Sequence, residues 1–283
     1  MLVDQPVQPA GAHRTTYLVG TRTGALYSRE CSPPPPASSR ITSAAPRPLD
    51  WKRAWKALGH LIDDPKRTDE VFEIIDALAG GSFERQWRIF SAHPDGQRLL
   101  RDRPSLLAAL SDREALRALP EGSFGRAYLA FMTSGNLTAK GLVDAELAAA
   151  ERNPHALPVD PDREFLGDRM RDMHDLWHVL TGYGMDEAGE AANLAFTFGQ
   201  IPSPGFALIV LAAAVVGPKD LRLTWPRYLF RAWRRGTRAE RLCVVPYEEL
   251  LTLPLDEVRR RLKVDPPQVA HPEGIIVASP VAG

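Results

Sequence analysis

Residues 173–190 read MHDLWHVLTGYGMDEAGE, and this stretch predicts two helices that are joined by a glycine turn. His174 and His178 are four residues apart, which places both imidazoles on one face of a helix. Gly182 and Gly184 permit a tight turn, and the aspartate that follows them is a good cap for a second helix. The pattern therefore predicts an antiparallel helical hairpin.

Glu190 is the carboxylate that this hairpin returns to the histidines. On one continuous helix it would lie about 18 Å beyond His178, which is too far to share an ion. The glycine turn instead places the start of the second helix beside the end of the first, so Glu190 is expected near His178. Asp175 lies about 100° round the helix from His174, where it can reach the same ion or orient an imidazole.

These side chains predict a metal site. Two imidazoles with one or two carboxylates suit zinc, and iron or manganese are alternatives. The predicted ligands are His174, Asp175, His178 and Glu190.

Two other metal chemistries compete with this interpretation. A zincin protease needs HExxH, but Asp175 stands where that motif has its glutamate, and its side chain is one methylene shorter. A phosphohydrolase with a His-Asp doublet needs further ligands. The other histidines show no fitting pattern and are interpreted as surface or structural residues: His13, His60, His93, His155 and His271.

Helical patterns continue outward from the hairpin, whereas alternating strands and strand-joining turns are not evident. The fold class is therefore predicted to be all-α, as a single helical domain over residues 49–264. Further helices are predicted over residues 51–61, 69–78, 82–90, 106–110, 112–119 and 125–132.

Both ends of the chain are rich in proline, and we expect a disordered tail over residues 1–48 and a flexible tail over 265–283.

Composition excludes several classes of protein. The 35 basic and 35 acidic residues balance, so bulk charge gives no sign of nucleic-acid binding. The two cysteines suggest no disulfide framework, and we see no secretory signal and no apolar run of the ~18–20 residues that span a bilayer.

Two segments after the hairpin leave alternatives open. Phe206–Val216 is apolar on all sides, which is typical of a core helix, a lipid-touching helix or a wall of a hydrocarbon pocket. Leu221–Arg241 interleaves arginines with aromatic residues. That pattern suits an anionic membrane surface, a phosphate-bearing ligand or nucleic acid, or simply a helix with its aromatics inside and its arginines in water.

The metal pattern and its neighbouring stretches also carry a resemblance. The pattern is His174-Asp175-x-x-His178, eleven residues, then Glu190, and the accompanying stretches are Arg101–Pro104, Leu119–Tyr128, Gly189–Pro202, Trp225–Gly236 and Leu255–Leu262. Together they resemble the coenzyme Q (ubiquinone) biosynthesis proteins of the Coq4 type, from about Trp51 to Val264. The sequence departs from the family near Tyr247–Leu251, where the usual tryptophan is absent.

The resemblance implies an all-α protein, often a homodimer, with a hydrophobic tunnel for a prenyl tail. It implies a peripheral location on the inner membrane, on the cytoplasmic face in bacteria or the matrix side in mitochondria. The implied partners are a polyprenylated quinone precursor and other ubiquinone-biosynthesis enzymes. The implied activity is oxidative decarboxylation of a polyprenyl hydroxybenzoate, and the alternative is a non-catalytic lipid-binding scaffold that organises the biosynthetic complex.

Overall fold

The computed structural model describes residues 48–151, 160–217 and 224–271, and the regular secondary structure within these ranges is helical. No strand occurs in these ranges, where an isolated bridge pairs Ser123 with Pro254. The prediction of an all-α fold is therefore confirmed. The α-helices are α1 Trp51–Asp63, α2 Thr68–Ala77, α3 Ser82–Ala92, α4 Pro94–Asp102, α5 Leu106–Ser111, α6 Arg113–Ala118, α7 Phe124–Ser134, α8 Gly141–Glu151, α9 Pro161–Asp172, α10 His174–Thr181, α11 Glu187–Gln200, α12 Pro204–Val216, α13 Thr224–Arg238, α14 Tyr247–Leu250, α15 Leu255–Arg261 and α16 Pro267–Ala270.

Side-chain caps explain where several helices begin. The Oγ of Ser105 accepts a hydrogen bond from the amide of Ala108 at 3.1 Å, and Asp112 caps α6 in the same way at 2.9 Å. Pro161 and Pro204 occupy the first turns of α9 and α12, where proline costs no helical hydrogen bond. These local signals are visible in the sequence.

The main core lies where α7, α10, α11 and α13 meet. Trp177 of α10 is 2% exposed, and its indole nitrogen donates to the hydroxyl of Tyr247 at 2.9 Å. That hydroxyl in turn donates to the carbonyl of Leu242 at 3.2 Å, so both buried polar groups are satisfied. This packing holds the buried face of α10 against the core.

The apolar helix α12 is buried at its start and exposed at its end. Leu208 and Ile209 lie in a core cluster with α1 and α2, whereas Leu211 and Val215 are 64% and 78% exposed. The indole nitrogen of Trp225 in α13 donates to the carbonyl of Ala213 at 2.8 Å, which ties the two helices together. The first half of α12 is therefore a core helix, and its second half presents an apolar surface to the outside.

The two predicted tails differ in what the structure describes. Residues 1–47 and 272–283 lie outside the described residues, so the tail over 1–48 and most of that over 265–283 stay predictions. Residues 265–271, in contrast, include α16 and end in His271, which is 6% exposed. Within the described ranges, the structure contains no helix that is both long and apolar enough to cross a bilayer.

Candidate metal centre

The metal-binding helix α10 ends at a left-handed glycine. Gly182 has a φ of 78°, and its amide donates to the carbonyl of His178 at 2.7 Å. A side chain at this φ would be strained, so glycine is required to end the helix here. The glycine turn that the sequence predicts is present at this position.

The second helix of the site, α11, begins close against the same turn. Asp186 caps it by accepting hydrogen bonds from the amides of Ala188 and Gly189, both at 3.1 Å. A Cβ placed on Gly189 would lie only 2.0 Å from the carbonyl oxygen of Gly184. Glycine at position 189 therefore allows a contact that brings Glu190, one residue further on, towards α10.

Three of the four predicted ligands converge. The Nε2 atoms of His174 and His178 are 3.2 Å apart, and they lie 3.6 and 3.3 Å from the Oε2 of Glu190. Bonds of about 2.0–2.1 Å at tetrahedral angles separate two zinc ligands by about 3.4 Å, which is the spacing found here. His174, His178 and Glu190 therefore form a group that could hold a metal ion.

Asp175, the fourth predicted ligand, is not a member of this converging group. It is 9% exposed on the first turn of α10. Burial raises the pKa of its carboxyl, and the nearby charge of Glu190 adds to this, while His174 and His178 act in the opposite direction. Asp175 is therefore close enough to sense the group electrostatically, and its role as a direct ligand stays a prediction.

Charge pairing within the group outweighs the cost of burial. Burial lowers the pKa of His174, but its hydrogen bond to Glu190 and the charges of Glu190 and Asp175 raise it overall. Burial likewise opposes ionisation of Glu190, yet the two histidines hold the pKa of its carboxyl well below the usual range. Glu190 is consequently a carboxylate at neutral pH, which is the form that binds a metal.

The approach to the site is one-sided. The side chain of His178 is 1% exposed, and its ring stacks on that of Phe131 in α7 with the centroids 5.4 Å apart. The side chain of Glu190 is 43% exposed. Solvent and ligands therefore reach the group from the side of the glutamate.

Several residues around the site were not predicted from the sequence. The backbone carbonyl of Tyr183 accepts a hydrogen bond from Nδ1 of His178 at 3.2 Å, which leaves Nε2 free to bind an ion. Asn193 donates to the carbonyl of His174 at 3.5 Å. The sequence signal for Asn193 is weak, an amide side chain three residues after Glu190 in the same predicted helix, whereas Phe131 has none because it lies on a separate helix.

Comparison with known proteins identifies the family of this chain. Residues 54–268 match the family described as "Coenzyme Q (ubiquinone) biosynthesis protein Coq4". The chain belongs to this family. The family match includes all three converging ligands and all four predicted ones.

Named relatives of the Coq4 family include fungal proteins called "Ubiquinone biosynthesis protein COQ4, mitochondrial". The protein of Pyricularia oryzae is 30% identical over 206 residues, which cover 72% of this chain and 65% of that protein. The protein of Aspergillus terreus, which carries the same name, is 28% identical over 272 residues, covering 88% and 91%. The chain thus spans just under two thirds of the first relative and most of the second.

A solved structure of similar fold comes from Nostoc punctiforme, from a protein with a proposed role in ubiquinone biosynthesis. It superposes with a TM-score of 0.56 at 21% identity, covering 77% of this chain and 100% of that one. At this level of identity the likeness shows the all-α fold alone.

The prenyl-lipid tunnel that the resemblance implies stays a prediction. The described residues contain surface cavities of about 260 Å³, beside Tyr128 and Arg113, and about 270 Å³, beside Arg241 and Leu262. The apolar helix α12 lines neither of these cavities.

Proposed function

We propose that this protein is a metal-dependent enzyme of ubiquinone biosynthesis that decarboxylates and hydroxylates a polyprenyl hydroxybenzoate-type precursor. The observation that carries the proposal is the convergence of His174, His178 and Glu190 at the spacing of metal ligands. Membership of the Coq4 family supplies the pathway.

The proposed reaction replaces the ring carboxyl group with a hydroxyl group. The bond between the ring carbon and the carboxyl carbon breaks, and a bond between that ring carbon and oxygen forms. With dioxygen as the oxidant and a reduced nicotinamide or flavin as the external two-electron donor, ArCOOH + O2 + 2e− + 2H+ gives ArOH + CO2 + H2O. One atom of dioxygen enters the product, and the other leaves as water.

We infer different tasks for the site residues from their positions. Zinc, iron or manganese at this site would act as a Lewis acid towards the carboxylate and the adjacent phenol of the substrate. His178, buried under Phe131 and hydrogen-bonded to Tyr183, fixes one side of the site. Glu190, on the exposed side, borders the direction from which a substrate approaches.

The test compares two glutamates on the first turn of α11. Glu190→Gln removes a ligand, whereas Glu187→Gln changes an exposed carboxylate outside the converging group. We expect Glu190→Gln to lose stoichiometric metal and turnover of a carboxylated prenylphenol, and Glu187→Gln to keep both. Undiminished turnover by metal-free protein would refute the proposed metal dependence, and absence of turnover by the metal-loaded wild type would refute the enzyme proposal.

A non-catalytic scaffold is the second candidate, because the same three ligands also bridge α10 to α11. In that case the ion only stabilises these helices, and the protein presents its lipid ligand to other biosynthetic enzymes. His174→Ala would then lower thermal stability and complex assembly together, and the isolated wild-type protein would show no turnover. Quinone intermediates in cells lacking the gene distinguish the two, since an accumulating carboxylated precursor supports the enzyme.

A membrane surface is the proposed source of the prenylated precursor. The end of α12 exposes Leu211, Val215 and Val216, and α13 exposes Phe230, which is 56% accessible. Exposed arginines lie along α13, at positions that suit anionic lipid headgroups beside apolar insertion: Arg227, Arg231, Arg234 and Arg238. The partner that matches this apolar and basic surface is an anionic bilayer.

Vesicle binding tests this surface with two matched valines. Val215→Asp places a charge at the end of α12, and Val269→Asp places one at a comparably exposed position on α16. We expect the first variant alone to lose binding to vesicles that contain anionic phospholipid. Equal binding by Val215→Asp and the wild type would contradict the proposal.

Light scattering of the same samples measures whether the protein forms the homodimer that the resemblance implies.

A further inference from the structure

Residues 265–271, named here the C-terminal strap, lie against the turn that follows the metal-binding helix. A Cβ on Gly182 would sit 2.2 Å from Cγ of Pro267, so the strap touches the glycine that ends α10. Arg235 of α13 joins the two segments, because its Nη2 donates to the carbonyls of Thr181 at 3.1 Å and Asp265 at 2.6 Å. The strap and the end of α10 are thus held by one guanidinium.

His271 is the deepest side chain of the strap. It is 6% exposed, and its ring centroid lies 5.4 Å from that of Tyr183 and 5.5 Å from that of Tyr228. Burial and the charges of Arg235 and Arg231 lower the pKa of His271 to about 4. The neutral ring can therefore accept from Nη1 of Arg235, which lies 3.4 Å from its Nε2.

Tyr183 connects this cluster to the metal site. Its side chain is 1% exposed, lies edge-on to Tyr228 at 5.9 Å, and has the guanidinium of Arg235 5.1 Å from its ring centroid. Its backbone carbonyl receives the hydrogen bond from Nδ1 of His178. The position of the Tyr183 ring therefore limits where that carbonyl can lie, and with it the imidazole of His178.

We propose that the C-terminal strap positions the metal ligand His178, with His271 as the positioning residue that acts through Tyr183. The inference rests on the proposed metal site and extends it to a residue 93 positions away in sequence, from 178 to 271. Loss of a group that is hydrogen-bonded directly to a ligating histidine typically changes metal affinity by about 10–100-fold, and His271 acts one contact further out, through Tyr183.

Zinc affinity of the purified full chain tests the proposal, with two variants of the same residue. His271→Ala removes the ring, and we expect it to weaken zinc binding severalfold, up to about tenfold, the lower end of the effect of a direct partner. His271→Phe keeps a ring between the tyrosines, and we expect it to restore most of the affinity. Val269→Ala, on the exposed side of the strap, is the control that keeps wild-type affinity.

Thermal unfolding of each metal-free variant separates positioning from a general loss of stability. A folded His271→Ala protein with weakened zinc binding supports the strap, whereas wild-type affinity in that variant overturns it. If His271→Phe binds zinc no better than His271→Ala, packing of the ring against Tyr183 is not the means of positioning, and the proposal fails.

Hydrogen exchange of the metal-free protein distinguishes failure of the strap from failure of the metal site. We expect His271→Ala to speed amide exchange at Gly182 and its neighbours in the turn, with α3 unchanged. A wild-type protein that binds no zinc would refute the proposed metal site, and the exchange rates would still decide whether the strap holds the turn. Unchanged exchange at Gly182 would overturn the strap.

Discussion

Gly189→Ala is the most informative single substitution at the metal centre. Alanine normally stabilises a helix by about 0.5–1 kcal/mol relative to glycine. At position 189, however, the new Cβ would lie 2.0 Å from the carbonyl oxygen of Gly184, against 3.4 Å for an ordinary contact. The turn and the start of α11 must therefore separate by about 1.4 Å, the difference between these two distances.

That separation acts directly on the ligand that follows. Metal–ligand distances tolerate deviations of about 0.2 Å, so a shift of this size removes Glu190 from the ion or distorts the whole group. We expect zinc affinity to fall by about tenfold or more, and the free energy of unfolding to fall by about 1–3 kcal/mol from overpacking. Zinc titration and urea unfolding of the same protein measure the two effects.

Gly167→Ala is the matched control for this substitution. Gly167 lies inside α9, and a Cβ there meets no atom within 4 Å. We expect that variant to unfold at a slightly higher urea concentration and to bind zinc as the wild type does. If Gly189→Ala behaves like Gly167→Ala in both assays, the close contact between α11 and the turn does not set the geometry of the site.

Three further predictions concern metal removal, pH and the end of α10. A chelator should lower the melting temperature of the zinc-loaded wild type but leave that of His178→Ala unchanged, because metal binding stabilises the fold only when the ligands are intact. Calorimetry measures both melting temperatures. Protonation of His271 should contribute a fall of about 3 kcal/mol in the free energy of unfolding between pH 6.5 and about 4, since its pKa is about 4 in the folded protein and near the ordinary value of about 6.5 in the unfolded chain. His271→Phe should lack this component in urea unfolding at each pH. Arg259→Met should lower the free energy of unfolding by about 2–3 kcal/mol in the same assay, because Arg259 donates to two carbonyls at the end of α10 at 2.9 and 3.0 Å. The control Arg260→Met, at an exposed position, should leave that free energy almost unchanged.

The helices that the sequence predicts are those with local signals of their own. α5, α6 and the start of α7 combine a side-chain cap with apolar residues at helical spacing, and they form where predicted. α4 was not predicted, because its sequence PDGQRLLRD has few apolar residues. It forms where Leu99 packs into a cluster with Trp87 and Phe90, a contact between helices that periodicity does not reveal.

The metal ligands could be predicted because they are close in sequence. The spacing of His174 and His178 and the glycine turn before Glu190 are local features, and the structure brings these three together. Their supports are distant. Phe131, Arg259 and His271 reach the end of α10 from other helices and from a segment with the composition of a tail, so nothing near position 178 indicates them.

The strap also shows what composition alone does not reveal about residues 265–271. Residues 265–271 include the adjacent prolines Pro266 and Pro267, a composition typical of a loose end, and the flexible tail is predicted to start at residue 265. Pro267 nevertheless packs on Gly182, and His271 is enclosed by two tyrosines. The packing partners come from α10, α11's preceding turn and α13, which only the folded chain brings to this place.

The difference in sequence distance between ligands and supports has a consequence for the order of folding. The three ligands span residues 174–190, whereas Arg235, the first of the distant arginine supports, comes 45 residues after Glu190. Closing a short loop costs little entropy, so zinc could gather its ligands while the later helices are still unfolded. If the site forms early, zinc present during refolding should accelerate folding. If the site forms last, zinc should only slow unfolding, and stopped-flow kinetics distinguish the two cases.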